Sequence, residues 1–391
     1  MAEALPADYP RNMKILIVNY EFPPLGGGGG IACFNLAREL AKNHQVDYVT
    51  TAFKGLPTAE TVDGINIFRV PVIGRKQLST ASLLSLVTFF PSSFICGARL
   101  CMCRKYDVIN SHFVVPSGLS GALLAKIFKK PSVISIYGGD IYDPSKKTSP
   151  HRHYLLRKLI SWLFCQSEAI IAESNNIRSV AEKFYKPDKR VEIIPVGFVL
   201  PVEKSSTRKE LGLVDGEIIV ISVGRLVKRK GFDIAIRAIA SLSKKNVRYV
   251  IIGDGPEEES LVTLAKELGI ADKVNFKGFL TEEKKYQYLK NSDIYLLTSI
   301  HEGFGICLME AMYAGLPIVA TDSGGQTDFM TEGTNALFVP VADISRTADK
   351  LTELVDNVVE RREMGARNRE AIKKLYIENI ASRYESVLSR W

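Results

Sequence analysis

At 391 residues, 46% hydrophobic and 24% charged, the chain exceeds what one hydrophobic core usually serves, and its ordinary balance excludes a disordered or low-complexity protein. The net charge of +8 attracts nucleic acid, anionic lipid or phosphorylated ligands. No run interleaves basic with aromatic residues as a stacking platform and no zinc-type Cys/His spacing occurs, which argues against nucleic acid.

The N-terminal stretch MAEALPADYPRN is polar and lacks the apolar centre of a signal peptide. Six scattered cysteines suit reduced, buried thiols, and the two features together predict a cytoplasmic protein.

Strands then alternate with helical patterns, the grammar of parallel sheets with crossover helices. Lys14 to Tyr20 reads as a buried strand, Ala32 to Lys42 as a helix and Val46 to Thr51 as a strand. Between the first two lies the run Gly26 to Gly30, where backbone amides and a helix N-terminus can hold a phosphate. Gly27 to Ala32 even fits Gly-x-Gly-x-x-Ala. A dinucleotide site is nevertheless disfavoured, because EFPPL separates strand from glycines and Asp47 stands at the start of the second strand rather than its end. A structural turn and a loop that closes over substrate remain as readings.

Ser82 to Cys103 is the most hydrophobic segment, but Pro91, Arg99 and a Pro-Ser-Ser break make it poor for a membrane span. With Lys126, Lys129, Lys130, Lys146, Lys147, Arg152, Arg157 and Lys158 it fits contact with an anionic membrane surface; a core helix beside a solvated basic face is the alternative. Further strands are expected at Asp107 to Ser111, Val133 to Tyr137, Ala169 to Ala172 and Val191 to Ile194.

Pro195 to Ser206 has no periodicity and reads as a linker, placing one domain at 1–200 and the next at 201–374. The second half restarts the pattern with strands at Ile218 to Val223, Tyr249 to Ile252, Val274 to Lys277, Ile294 to Leu297 and Ile318 to Ala320. One last helix, about Arg361 to Trp391, is longer than the second sheet needs, and its end, about 375–391, is expected to complete the first domain.

Directly after IIVISV come Gly224, Arg225 and, five residues on, Lys230, Gly231 and Asp233. An Arg and a Lys at a strand's carboxyl end can neutralise a diphosphate, though a solvated basic loop fits equally. The segment SIHEGFGICLMEAMYAGLP sets Glu302 before Gly303, Phe304 and Gly305, with Glu310 eight residues later. Eight helical residues span about 12 Å, so the two carboxylates would serve different parts of one extended ligand. Amides from Phe304 through Ile306 to Cys307 would face a phosphate between them.

With the glycine loop, His112 after DVINS, Gly224-Arg225, Lys230-Gly231, the Glu302 to Glu310 spacing and Gly324-Gly325, the chain resembles the family 4 retaining glycosyltransferases over essentially its whole length. The resemblance implies an α/β GT-B fold, two Rossmann-like domains facing each other across a cleft: an acceptor domain first, a nucleotide-sugar donor domain second. It implies that Arg225 and Lys230 bind the donor diphosphate, that Glu310 takes the ribose hydroxyls, and that Glu302 with the Phe304 and Gly305 amides takes the sugar hydroxyls. His112 would reach the sugar near its anomeric carbon. Gly29 and Gly30 would belong to the donor site, and the base would lie against Gly253-Asp254-Gly255 and Lys277-Gly278-Phe279.

Tyr137, before Gly138-Gly139-Asp140, stands where many relatives carry histidine. Tyrosine does not cycle a proton near pH 7, so Tyr137 and Asp140 are expected to line the acceptor side rather than supply a histidine base. No Asp-x-Asp occurs, so no metal and no cofactor are expected beyond the nucleotide-diphosphate sugar. The acceptor is expected to be a glycan or lipid-linked molecule at the cytoplasmic membrane face. A soluble small-molecule acceptor and a GT-B nucleotide-sugar epimerase are the competing expectations.

Overall fold

The computed structural model describes residues 12–391 except 79, 203, 244 and 245. The polar N-terminal stretch, up to residue 11, and Glu203 of the expected linker lie outside the described residues. Two compact units form: one runs to Gly197 and takes in Leu375–Trp391, the other is Phe198–Lys374.

In the first unit the chain runs β1 (Lys14–Val18), α1 (Gly28–Leu40), β2 (Gln45–Thr51), β3 (Ala59–Val62), β4 (Ile65–Val70), α2 (Leu83–Cys103) and β5 (Val108–His112). It continues through α3 (Leu119–Phe128), β6 (Ser132–Ile136), α4 (Gly138–Ile141), α5 (Tyr154–Gln166), β7 (Ala169–Ala172), α6 (Asn175–Tyr185) and β8 (Val191–Ile193). Among the described residues the strands make an eight-stranded sheet, β3-β4-β2-β1-β5-β6-β7-β8, parallel except for the β3–β4 pair. Strands such as KILIV are continuous apolar runs because helices cover both faces.

Three details depart from the sequence reading. The hairpin β3–β4, not anticipated, turns on Asp63 and Gly64, whose φ values of 49° and 82° suit a tight strand-to-strand turn. Helix α1 begins at Gly28 rather than Ala32, so three of the five glycines are its first turn and not a loop. Cys33 is buried, but Cys103 and Cys165 are exposed, correcting the expectation of buried thiols throughout.

The second unit runs β9 (Ile218–Val223), α7 (Phe232–Ser241), β10 (Val247–Ile252), α8 (Glu258–Glu267), β11 (Val274–Phe276), α9 (Glu282–Lys290) and β12 (Ile294–Leu297). Then follow α10 (Ile306–Ala314), β13 (Ile318–Thr321), β14 (Ala336–Val339), α11 (Ile344–Asp356) and α12 (Val358–Ala371). Its sheet, β11-β10-β9-β12-β13-β14, is parallel throughout. In each sheet strand order reverses beside the first strand, between β1 and β5 and between β9 and β12. Ligands in open α/β sheets bind outside the carboxyl ends of strands at such switch points.

The single long C-terminal helix expected from sequence is broken. After α12 comes a short 3-10 turn at Ile372–Leu375, then α13 (Ile377–Leu388), which packs on α1 in the first unit. Arg383 donates to the Ile193 carbonyl at 2.6 Å, and Ile377 fills the space where Gly197 has no Cβ.

Candidate active site

In the second unit three loops meet at the carboxyl edge. Gly224 N–H donates to the Ile252 carbonyl, Leu226 N–H to Asp254 and Gly253 N–H to Gly278, at 2.7–2.9 Å. The Gly224, Gly253 and Gly278 segments are thus one hydrogen-bonded ledge. Phe279 stands on it 79% exposed, an uncovered aromatic face, and Arg225 is exposed beside it.

Lys230 closes the short 3-10 turn that follows β9 and places Nζ 2.6 Å from Glu302 Oε1. Ser299 Oγ donates to the same oxygen at 2.6 Å, and Arg229 Nη1 lies 3.5 Å from Oε2. Burial pushes the Glu302 carboxyl up, but Lys230 and Arg229 outweigh it and hold it at about 2. Glu302 is therefore an anion whose two oxygens are both engaged.

Glu302 is not in the helix that carries Glu310, which removes the 12 Å helical spacing assumed from sequence. It lies in the loop after β12, bridged to Gly324: Gly325 N–H donates to the Glu302 carbonyl at 2.9 Å. At Gly324, φ is 128° and a Cβ would stand 2.1 Å from the Glu302 carbonyl oxygen, so only glycine lets these strands of backbone touch. Helix α10 starts at Ile306 with Gly305 as N-cap and no side-chain cap. Its first amides, including those of Ile306 and Cys307, form the positive end of the helix next to Gly303 and Phe304. Phe304 is buried and stacks on Phe329 at 4.7 Å.

Glu310 lies on α10, buried, with Lys285 Nζ of α9 at 2.7 Å; the same ammonium contacts Glu282 at 2.7 Å. Burial raises the Glu310 carboxyl and Lys285 opposes the rise. Lys285, Arg229 and Ser299 were not singled out from sequence. Arg229 was visible as the middle of Lys-Arg-Lys, but nothing in the sequence pairs Lys285 with a carboxylate 25 residues away.

In the first unit, His112 ends β5 and is fully buried. Its Nδ1 lies 2.8 Å from Tyr137 Oη at the start of α4, and Cys33 Sγ on α1 donates to that oxygen at 3.3 Å. Nε2 has no partner among the described residues. Burial lowers the imidazole to about 3, so His112 is neutral at physiological pH, a hydrogen-bonding group rather than a cation.

The next residue, Phe113, is held at a φ of 66°, an outlier for an aromatic residue and a store of about 1–3 kcal/mol. Two contacts hold it. Asp140 Oδ2 accepts the Val114 N–H at 2.7 Å, and the Phe113 ring fills the space over Gly29, where a Cβ would stand 2.8 Å away. Burial raises the Asp140 carboxyl to about 7.

At the glycine run, Glu21 sits where a phosphate was one reading. Its Oε2 accepts the Gly27 N–H at 3.3 Å and would clash with a Cβ on Gly30 at 3.0 Å. The amide end of α1 thus already faces a carboxyl, which burial raises.

Two family descriptions cover the chain: Glycosyltransferase Family 4 matches residues 26–200, and Glycosyl transferases group 1 matches residues 203–371. An uncharacterised glycosyltransferase of Methanocaldococcus jannaschii is 31% identical over 345 residues, 84% of this chain and 85% of the relative. Sucrose-phosphate synthase of Thermosynechococcus elongatus superposes with a TM-score of 0.84 at 21% identity, covering 96% of this chain and 98% of that one. Anabaena HepE in complex with UDP-glucose gives 0.78 at 20% identity over 97% of this chain and 100% of that one.

Proposed function

The chain belongs to the glycosyl transferases of group 1 and family 4 and has their GT-B fold, and from that premise we propose that it is a retaining, metal-independent transferase using a nucleoside-diphosphate sugar. The UDP-glucose complex of HepE supports the donor class. The observation that carries the reading is the buried Lys230–Glu302 pair at the switch point of the second sheet.

In this reading Arg225 and Lys230 take the diphosphate and stabilise charge as it departs, the electrostatic task a metal performs elsewhere. The α10 amide end adds its dipole to the same phosphate. Glu310, oriented by Lys285, takes the ribose hydroxyls, and Phe279 offers its exposed face to the base. Gly29 and Gly30 belong to the donor side by the family resemblance alone; within their own unit they let Phe113 and Glu21 pack close.

Glu302 holds sugar hydroxyls rather than attacking carbon: Lys230 and Ser299 hold Oε1 at 2.6 Å, and Oε2, with Arg229 at 3.5 Å, accepts a hydroxyl. Retention then proceeds on the front face, with the leaving phosphate accepting the acceptor's proton. His112 presents Nε2 to the sugar, while Tyr137 fixes the ring through Nδ1. Tyr137 and Asp140 belong to the acceptor side. The acceptor is a glycan or lipid-linked hydroxyl compound, met by a cytoplasmic protein at the membrane surface.

The test is product stereochemistry by proton NMR with excess chelator present. The expected product has the donor's anomeric configuration and forms at an undiminished rate. Inversion, or loss of turnover with chelator, would overturn the proposal. Incubation with donor alone separates transfer from epimerisation, since an epimerase alters the sugar without acceptor.

A further inference from the structure

Helix α2 is turned inside out. Ser85, Phe89, Ser93 and Gly97 recur every four residues and form its buried face, which is small or polar apart from Phe89. Ser93 Oγ lies 2.7 Å from Ser120 Oγ of α3, and a Cβ on Gly97 would stand 2.4 Å from Leu124, so the small residues let the helices lie close. The bulk points outward: Leu83, Leu84, Val87, Ile95 and Met102 are between 52% and 78% exposed. A crossover helix ordinarily turns its large apolar residues to the sheet. Here five of them face solvent in a row while Phe94 and Leu100 still pack on the core, and contiguous apolar surface of this kind marks an interaction site.

The neighbouring helices extend it. α3 packs beside both α2 and α5, and Ile127 on α3 with Leu155 and Trp162 on α5 are exposed as well. Lys126, Lys129 and Lys130, at the end of α3, line a depression of about 420 Å³ together with Trp391.

Charge identifies the partner. From Leu83 to Gln166, the stretch holding these three helices, there are eleven lysines and arginines against three acidic residues, a net +8 that equals that of the whole chain. The three acids are turned to the unit's own backbone: Asp107 accepts from Lys14, Asp140 from Val114 and Asp143 from Ser145. A second copy would bring two such cationic faces together, which costs free energy. An anionic bilayer satisfies both the charge and the apolar row.

We infer that the outer surface of α2, α3 and α5 docks this protein on an anionic phospholipid bilayer, with α2 lying in the interface plane. The inference rests on the membrane-surface reading above and names the face that serves it. At 21 residues and a mean hydropathy of 1.5, α2 is long and apolar enough to cross a membrane. It is instead the link between β4 and β5, with Phe89 in the core of the sheet, so it lies on the bilayer.

The experiment is co-sedimentation of the full chain with phosphatidylglycerol-containing vesicles and with pure phosphatidylcholine vesicles, at low and high salt. Two variants accompany it, Leu84→Glu with Val87→Glu, and Lys126→Glu with Lys129→Glu, each checked for an unchanged thermal midpoint and an unchanged donor-induced shift. Binding is expected only to the anionic vesicles, to weaken with salt, and to fall at least about tenfold in each variant. Absence of binding to anionic vesicles at low salt, or binding indifferent to both variants, overturns the inference. So does a wild-type dimer that Leu84→Glu dissociates in light scattering, which would give the face to a second copy. If vesicle binding holds while only soluble acceptors receive sugar, docking stands and the lipid-linked acceptor falls; the reverse pattern removes docking alone.

Discussion

Replacing Lys230 by methionine removes an ammonium and keeps its stem. In the native unit Nζ lies 2.6 Å from Glu302 Oε1, while Arg229, at 3.5 Å from the other oxygen, is a weaker partner. Burial would raise the Glu302 carboxyl, so its position at about 2 against an ordinary 4.5 measures how far the cations prevail. That depression is worth roughly 3 kcal/mol, in line with the roughly 3–5 kcal/mol lost when one partner of a buried pair is removed.

The sign follows from the depressed carboxyl. Its contribution is fully present above about pH 4.5 and is lost as pH falls toward 2. Lys230→Met should therefore lose roughly 3 kcal/mol in urea unfolding at pH 7, and much less near pH 3, where the carboxyl of the unfolded chain is already protonated. Carboxyl-carbon NMR follows Glu302 directly, and its titration should move above 4.5 in the variant. A carboxyl still titrating near 2 in Lys230→Met would refute the assignment of Lys230 as its chief counter-ion.

Other residues give shorter tests. Tyr137→Phe removes the oxygen 2.8 Å from His112 Nδ1 and should cost about 1 kcal/mol of stability and lower kcat with little change in donor KM, measured by steady-state kinetics. Lys285→Met leaves Glu310 buried without its cation and should raise donor KM about tenfold or more, with the larger change in KM than in kcat. Asp140, raised from 3.8 to about 7, favours folding in its protonated form; its contribution is full at pH 3.8 and below and is lost as pH rises through 7. Urea midpoints should thus fall between pH 5 and 8, and Asp140→Asn should flatten that slope. Gly324→Ala drives a Cβ into the Glu302 carbonyl and should cost several kcal/mol, about 3 or more, read from thermal unfolding.

The alternation of β9, β10, β12 and β13 with helices was legible because strands buried on both faces are written as apolar runs such as IIVISV. β3 is four residues long and half exposed, which hid it, whereas β4 is largely buried and the hairpin was legible after all in the Asp-Gly turn before the alternating Ile65 and Ile67 stretch. The start of α1 was misplaced for another reason: glycine disfavours helix, and here Phe113 and Glu21 packing against the backbone override that preference.

For the candidate site, the positions following strands were legible, since topology brings such ends to one edge. Which cation meets which carboxylate was not, because Lys230 and Glu302 are separated by 72 residues and meet only through sheet order. The orientation of α2 was equally hidden. Its composition is visible in sequence, but only the packing of Ser93 and Gly97 on α3 decides which face turns outward.

The most direct test of the donor site is a thermal-shift titration of the chain with UDP-, GDP- and ADP-sugars in chelator, repeated on Arg225→Ala and Lys230→Met. At least one nucleotide sugar should raise the wild-type midpoint, and both variants should lose that rise while Leu84→Glu, on the exposed face of α2, keeps it. A rise that survives in Arg225→Ala and Lys230→Met alike would contradict the account.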